Sequence, residues 1–120
     1  MMRRFVYAVA FLAVSAAANA EPLKLAAKYD AAGTNPDGTG YAGTVLVDVI
    51  SDTTFRIEWS IAGTTYKGFG MRNNDTLAAT YTIDGEPGLM IYKVDDKGTL
   101  RGLWAVRGEN GSGSEVLTPH

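Results

Sequence analysis

Side chains that could act as a nucleophile or a general base are scarce in this sequence. His120 is the only histidine, and it is the last residue. Chain ends usually fray, so this position is unsuited to a general base. No serine stands in a nucleophile-elbow pattern, and the absence of cysteine excludes thiol catalysis and cysteine-based metal sites. This inventory predicts a protein that is not an enzyme.

Carboxylates are the remaining route to catalysis, since a glycosidase needs only two of them. Glu58 lies in mid-strand on the side opposite Trp59, and Asp48 is placed to pair with Arg56 across a strand ladder. Asp95 belongs to a turn sequence. We interpret these groups as surface charge and turn formers. A small secreted hydrolase that uses loop carboxylates stays open as an alternative.

Oxygen-rich loops are the only candidates for a metal site. They contain Asp37, Asp75 and the pair Asp84 and Glu86, but none has the regular spacing of a calcium loop. Turn formation accounts for all of them. We therefore predict neither a metal nor a cofactor.

Residues 1–20 have the pattern of a secretory signal peptide. Arg3 and Arg4 provide a positive start, an apolar run follows, and the small residues Ala18 and Ala20 frame a cleavage site. The apolar run is shorter than the roughly 20 residues that a membrane span needs. We predict export to the periplasm or the medium, with cleavage near Ala20 and Glu21 and no membrane span in the mature chain.

The charge of the mature chain disfavours polyanionic partners. Without Arg3 and Arg4, nine of the eleven basic residues remain against thirteen acidic ones, a net charge of −4. The charges are scattered singly, so nucleic acid is not expected as a partner. Without cysteine, the fold must be stable through its core and its backbone hydrogen bonds alone.

The candidate residues described above lie on or between short runs in which apolar and polar residues alternate, and turn-forming residues separate these runs. Phe55, Ile57, Trp59 and Ile61 share one side of a strand, and no helical period follows residue 20. The predicted strands span residues 23–29, 43–50, 55–61, 66–71, 77–83, 89–94, 100–107 and 115–117. Short connections favour antiparallel neighbours. We predict one all-β domain over residues 21–120, an antiparallel meander closed into a barrel, similar in architecture to avidin or a lipocalin, or a small sandwich.

An eight-stranded barrel is wide enough to be filled by its own side chains or to hold one small ligand. The alternation predicts the following inward residues: Val45, Val47, Val49, Phe55, Ile57, Trp59, Ile61, Tyr66, Leu77, Tyr81, Leu89, Ile91, Leu100 and Trp104. The tryptophans and tyrosines of this inward set are Trp59, Tyr66, Tyr81 and Trp104. We interpret them as core residues, with cavity lining as the alternative. Gly43, Gly68 and Gly102 each follow a large apolar residue by two positions, which suggests bends or close packing against a ring.

Three stretches carry a family likeness: GTNPDGTGYAGTV, FRIEWSIAGTTYKGFG and GTLRGLWAVRGENGSGSEVL. In this order they resemble small exported bacterial proteins that are often labelled fibronectin-binding. The matching residues are Gly33, Asn35, Pro36, Asp37, Gly38, Tyr41, Gly43, Trp59, Gly63, Tyr66, Gly68, Gly70, Tyr92, Gly98, Leu100, Gly102, Trp104, Gly111, Gly113 and Glu115. The resemblance spans nearly all of residues 21–120. It implies a compact β domain and a protein partner such as a host matrix protein.

The sequence therefore predicts a non-enzymatic binding module for a protein partner or a small ligand, with a protease or lysozyme inhibitor as a variant. Loops 31–40 and 108–114 are rich in backbone donors, and they flank the first and last strands. If the barrel closes imperfectly, that seam exposes strand edges. We predict partner binding at the seam, with the following residues nearest the contact: Asn35, Asp37, Ser112 and Glu115.

Overall fold

The computed structural model describes residues 24–120, which form one β-barrel. The predicted signal peptide lies outside the described residues. The strands are β1 (Lys28–Thr34), β2 (Gly40–Val49), β3 (Thr54–Ile61), β4 (Thr64–Asn73), β5 (Thr76–Ile83), β6 (Glu86–Val94), β7 (Leu100–Val106) and β8 (Gly113–Pro119). Residues 24–120 contain no helix with the length and apolarity that crossing a membrane requires.

Each strand pairs with the next in antiparallel register, and β1 pairs with β8 to close the barrel. The closing ladder runs from Tyr29 opposite Pro119 to Thr34 opposite Ser114. The predicted meander of eight strands is therefore confirmed, and it is a closed barrel rather than a sandwich. Because the barrel closes, the edge of β1 pairs with the edge of β8, and neither edge is free to pair with another chain.

The first strand was predicted too early and the loop after it too long. β1 spans Lys28–Thr34 and β2 begins at Gly40, so half of the predicted loop 31–40 is strand, and the connection between them covers residues 35–39 only. Ala31, Ala32 and Gly33 have low strand propensity. They are strand nonetheless because β2 and β8 pair with them from both sides. Tertiary pairing here outweighs the local preference.

The buried interior contains most of the predicted inward residues. Val45, Val47, Phe55, Ile57, Trp59, Leu77, Tyr81 and Leu100 are buried, and Ile61, Tyr66 and Trp104 are partly buried against them. Three predictions of the inward set are wrong. Leu89 is 67% exposed, Val49 is 55% exposed and Ile91 is 51% exposed.

The error at Leu89 and Ile91 has a physical cause in β6. This strand is apolar on both faces, so its composition does not indicate which face is inside. The ladder with β5 decides it, because Met90 lies opposite Ala79 and Tyr92 opposite Leu77, and residues opposite each other share a face. Met90 and Tyr92 are therefore inside, and a one-residue shift in phase places Leu89 and Ile91 on the outer surface.

Close packing of rings over glycines, predicted from the recurring glycine spacing, is confirmed at Gly68 and Gly102 but not at Gly43, whose neighbours are the Ser60 carbonyl oxygen and Ile61. A Cβ at Gly68 would lie 2.6 Å from the Thr80 carbonyl oxygen and 3.1 Å from the Trp59 ring. The glycine and aromatic pairs of this kind are Gly33 with Tyr41, Gly68 with Trp59, Gly70 with Phe55, Gly88 with Tyr81, Gly102 with Tyr92, and Gly113 with Trp104. Inward-facing glycines thus make room for rings that belong to neighbouring strands.

Candidate ligand-binding site

A cavity of about 270 Å³ opens at one end of the barrel. This is the end that carries the β1–β2, β3–β4, β5–β6 and β7–β8 connections, because alternate turns of a meander lie at the same end. Six aromatic residues line it: Tyr41, Trp59, Tyr66, Tyr81, Tyr92 and Trp104. The other lining residues are Asn35, Ile61, Ala62, Ile83, Met90 and Glu115. Half of its lining residues are therefore aromatic, and one is a carboxylate.

The chain that precedes β1 packs against the core at the end of the barrel opposite the cavity. Leu25 and Ala26 pack against the core, and the Ala26 amide donates a hydrogen bond to the Tyr29 hydroxyl at 2.7 Å. Tyr29 is buried, and burial raises its pKa. These contacts cover part of the core at that end.

Glu115 is the centre of a buried polar cluster in the cavity wall. Its side chain is only 3% exposed. Its Oε2 accepts a hydrogen bond from the Tyr41 hydroxyl at 2.8 Å. Its Oε1 accepts from the Tyr92 hydroxyl and from Trp59 Nε1, the latter at 3.1 Å. All three partners donate, which matches the ionised carboxylate, a group that only accepts.

The strand register explains how residues from distant parts of the sequence meet at this carboxylate. Gly33 lies opposite both Tyr41 and Glu115, and Gly102 lies opposite both Glu115 and Tyr92. One row around the barrel therefore reads Tyr41, Gly33, Glu115, Gly102, Tyr92. Because neither glycine has a side chain, each tyrosine ring lies across its neighbouring glycine and reaches the carboxylate.

Three tyrosines of the cavity have raised pKa values. Burial is the main cause for Tyr41, Tyr81 and Tyr92, and the negative charge of Glu115 raises each pKa further. Both effects disfavour a phenolate inside the barrel. The hydroxyls consequently stay protonated, so Tyr41 and Tyr92 can donate to Glu115 and Tyr81 can donate to the Leu89 and Ala105 carbonyl oxygens.

These pKa values predict that the barrel loses stability in alkali. Below about pH 10, tyrosine is protonated in both the folded and the unfolded chain. Above that pH the unfolded chain releases protons that the buried hydroxyls keep, so the free energy of unfolding falls as the pH rises. The fall is up to about 1.4 kcal/mol per pH unit for a buried tyrosine such as Tyr92. Urea denaturation between about pH 9 and pH 12 measures it.

Tyr92→Phe is the control for the alkaline prediction. It removes the ionisable hydroxyl and keeps the ring, so the decline of stability with pH should become shallower by up to about 1.4 kcal/mol per pH unit. An unfolding free energy that is flat over this range, or an equally steep decline in the variant, would contradict the burial of these hydroxyls.

Edge-to-face contacts hold the aromatic wall. The rings of Trp59 and Tyr81 have centroids 5.2 Å apart at 61°, and those of Tyr41 and Trp104 are 6.2 Å apart at 67°. Trp104 Nε1 is buried and makes no hydrogen bond to the described residues. It lies near enough to the Tyr41 hydroxyl to offset part of the rise in that pKa. The wall is therefore a packed aromatic surface rather than a set of loosely held side chains.

The structure separates the four predicted contact residues. Asn35 lines the cavity mouth, and Glu115 faces the interior instead of an outer seam. Asp37 lies in the exposed β1–β2 turn, where hydrogen bonds from Thr39 lower its pKa, and Ser112 is exposed in the β7–β8 connection. Since β1 and β8 are paired, the open strand edges that the seam hypothesis needs are absent from residues 24–120.

Of the four predicted aromatics, all line the cavity, and Trp59 and Tyr81 are also part of the buried core. The alternatives of core and cavity lining therefore both apply. Tyr41 and Tyr92 are the aromatic site residues that the sequence analysis missed, and it also did not predict the lining residues Ala62, Ile83 and Met90. Alternation extended back from Val45 places Tyr41 on the inner face, so a signal for it existed. Tyr92 was hidden by the ambiguous phase of β6.

The other candidate catalytic groups lie outside the cavity. Asp48 and Arg56 form the predicted cross-strand ion pair at 3.1 Å on the exposed surface. His120 is not frayed as predicted, because its amide donates to the Lys28 carbonyl at 3.0 Å and its ring lies 3.2 Å from Asp30. Within residues 24–120, no three acidic or histidine side chains are grouped closely enough to hold a metal ion.

No protein-family model matches this sequence, and no curated protein matches it. Its fold is similar to those of designed β-barrels. A redesigned β-barrel has a TM-score of 0.63 at 18% identity, covering 80% of this chain and 91% of its own. A de novo designed fluorescence-activating β-barrel has a TM-score of 0.61 at 16% identity, and EF1p2_mFAP2b bound to DFHBI has a TM-score of 0.61 at 18% identity. Each of these two alignments covers 80% of this chain and 94% of the other chain. At these identities, the likeness shows the fold alone.

Proposed function

We propose that this protein is a non-enzymatic binding module that holds one small ligand in the open end of its barrel. The observation that carries the proposal is the cavity of about 270 Å³ with an aromatic wall and one buried, hydrogen-bonded carboxylate. Ligand sites are typically concave and apolar, with a few well-placed polar groups that orient the ligand. The cavity volume is slightly below the roughly 300–1,000 Å³ typical of such sites, so we expect a ligand smaller than a typical drug molecule.

Two further observations support a binding role. EF1p2_mFAP2b, a barrel of similar fold, is bound to DFHBI, so this architecture accommodates a small molecule in another protein. The described catalytic candidates, Asp48, Glu58 and His120, lie outside the cavity. Neither a metal nor a cofactor is part of the proposal.

Export completes the proposal. The signal pattern of residues 1–20 supports a periplasmic or secreted protein. A protein partner, including fibronectin, stays a prediction from the family resemblance. The hydrolase and inhibitor alternatives stay predictions as well. We favour the small ligand because the barrel offers an open aromatic cavity, whereas the strand edges needed for partner addition at the β1–β8 seam are paired.

Titration with p-cresol, a small neutral phenol, tests the proposal. Amide and indole NMR signals report its position, because Trp59 and Trp104 both line the cavity. We expect saturable shifts of both indole N–H signals and of residues around the cavity mouth. Shifts confined to the outer surface, or no saturable shift at all, would contradict binding inside the barrel.

A pair of tryptophan substitutions provides the matched control. Ile83 lines the cavity, so Ile83→Trp fills part of it and should weaken p-cresol binding at least about tenfold, the equivalent of roughly 1.4 kcal/mol. Leu103 lies on the outer surface, so Leu103→Trp should leave the affinity unchanged within about twofold. Equal affinities of the two variants would place the binding site elsewhere.

A further inference from the structure

Glu115 lacks a compensating positive charge in this part of the chain. The ion pairs among residues 24–120 all involve surface side chains, and none includes Glu115. The partners of its carboxylate are two hydroxyls and an indole N–H, which are neutral donors. They satisfy its hydrogen-bonding capacity in part and leave its charge in place. A buried charge of this kind is costly unless an opposite charge joins it.

The aromatic wall around this carboxylate also favours a positively charged ligand. A cation is attracted to the face of an aromatic ring within about 6 Å of its centroid, and the attraction grows where water is excluded. Six aromatic rings line the cavity. The Tyr41 and Tyr92 hydroxyls donate hydrogen bonds to Glu115, and hydrogen bonds to an anion polarise the donor groups towards more negative rings.

Resting on the proposed function, we infer that the ligand class of this cavity is small organic monocations, with an alkylammonium or quaternary ammonium group held between the aromatic wall and Glu115. The ammonium group supplies the positive charge that the carboxylate lacks, and its methyl or methylene groups fill apolar volume. An anionic ligand is disfavoured, because the carboxylate repels it and the Tyr41 and Tyr92 hydroxyls already donate to Glu115. The volume of about 270 Å³ limits the ligand to one such group with a short substituent.

Choline and 3,3-dimethylbutan-1-ol provide the test, because they have the same shape and differ in whether the branched centre is a charged nitrogen or a neutral carbon. Both are titrated into the protein at constant ionic strength, with amide and indole NMR signals as the readout. We expect choline to bind at least about tenfold more tightly, within the range of a desolvated cation–π contact, and to shift the indole signals of Trp59 and Trp104. Equal binding of the two, or choline shifts outside the cavity, would overturn the inference.

Two variants assign the preference to the charge. Glu115→Gln keeps the shape and removes the charge, so the ratio of the choline affinity to the affinity of the neutral alcohol should fall below about twofold. Asp48→Asn removes a carboxylate from the exposed ion pair with Arg56, outside the cavity, so in this variant the choline preference should remain at least about tenfold. A preference that survives in Glu115→Gln would overturn the role of the carboxylate. The comparison in the unmodified protein decides the inference if the glutamine variant does not fold.

The outcomes separate this inference from the proposed function. If p-cresol and the neutral alcohol bind in the cavity and choline binds no better, the cavity is a ligand site and the cation preference is wrong. If none of the three compounds binds there, the proposed function is wrong, and the inference falls with it.

Discussion

Trp59→Ala is expected to lower the free energy of unfolding by about 3–5 kcal/mol, the range for removing a large aromatic from a core. Trp59 is 5% exposed, contacts Tyr81 edge to face and covers Gly68. Its loss leaves a cavity and removes one of the three donors to Glu115. A domain of this size has a total stability of about 5–15 kcal/mol, so the variant retains little of it. Urea denaturation followed by circular dichroism measures the change.

Trp59→Phe separates the two contributions to that loss. Phenylalanine keeps an aromatic ring over Gly68 and removes the indole N–H that bonds Glu115 and Tyr92. We expect a cost of about 1–3 kcal/mol from the weakened buried cluster together with the smaller ring. If Trp59→Ala unfolds at the same urea concentration as the unmodified protein, the assignment of β3 to this register is wrong.

Gly102→Ala is expected to destabilise the barrel by about 3 kcal/mol, the upper end of the usual range for overpacking. A Cβ at this position would overlap the Ile91 carbonyl oxygen of the neighbouring strand and lie 2.7 Å from the Tyr92 ring. The first obstacle is backbone, which moves only if the β6–β7 ladder shifts. The Tyr92 ring would also be displaced from Glu115. Equilibrium denaturation measures the first effect, and a weakened p-cresol affinity reports the second.

Gly40→Ala is the matched control for Gly102→Ala. Both glycines lie in strands, but the nearest atom to a Cβ at Gly40 is the Gly33 carbonyl oxygen at 3.7 Å, an ordinary contact. We expect the stability of Gly40→Ala to stay within about 0.5 kcal/mol of the unmodified protein. Similar losses in the two variants would indicate a general cost of replacing strand glycines. A stable Gly102→Ala protein would contradict the close approach of β6 and β7.

The row formed by Tyr41, Gly33, Glu115, Gly102 and Tyr92 connects the stability of the barrel to its site. Gly102, which allows Tyr92 to reach Glu115, also lies where the backbone of β6 approaches closely, whereas a Cβ at Gly33 would meet the Tyr41 side chain first. A substitution at Gly102 therefore acts on the cluster and on the ladder together.

The sequence by itself determined the fold class and the number and approximate position of the strands. Alternation such as that from Phe55 to Ile61 has a period of two, and it survives in the barrel because one face of each strand is buried. The cross-strand pair of Asp48 with Arg56 was also predictable, since it depends on two adjacent strands and a short turn. Such local features need no knowledge of distant partners.

Only the tertiary structure decided the phase of β6 and the extent of β1. In β6 both faces are apolar, and pairing with β5 selects Met90 and Tyr92 for the interior. In β1 the small residues after Tyr29 carry a weak strand signal, and β2 and β8 hold them extended from either side. Local preference differs little between the alternatives in both places, so non-local pairing determines the outcome.

The candidate site was decided almost entirely by the tertiary structure. Glu115 was singled out for its place beside a seam, whereas it is buried with hydroxyls from Tyr41 and Tyr92. These residues lie on β2, β6 and β8, and the sequence contains no local pattern that joins them. Closure of the barrel brings β8 next to β1, and that closure places the carboxylate in one row with both tyrosines. The physical reason is that a buried charge is stabilised by whichever donors the closed ladder brings within reach.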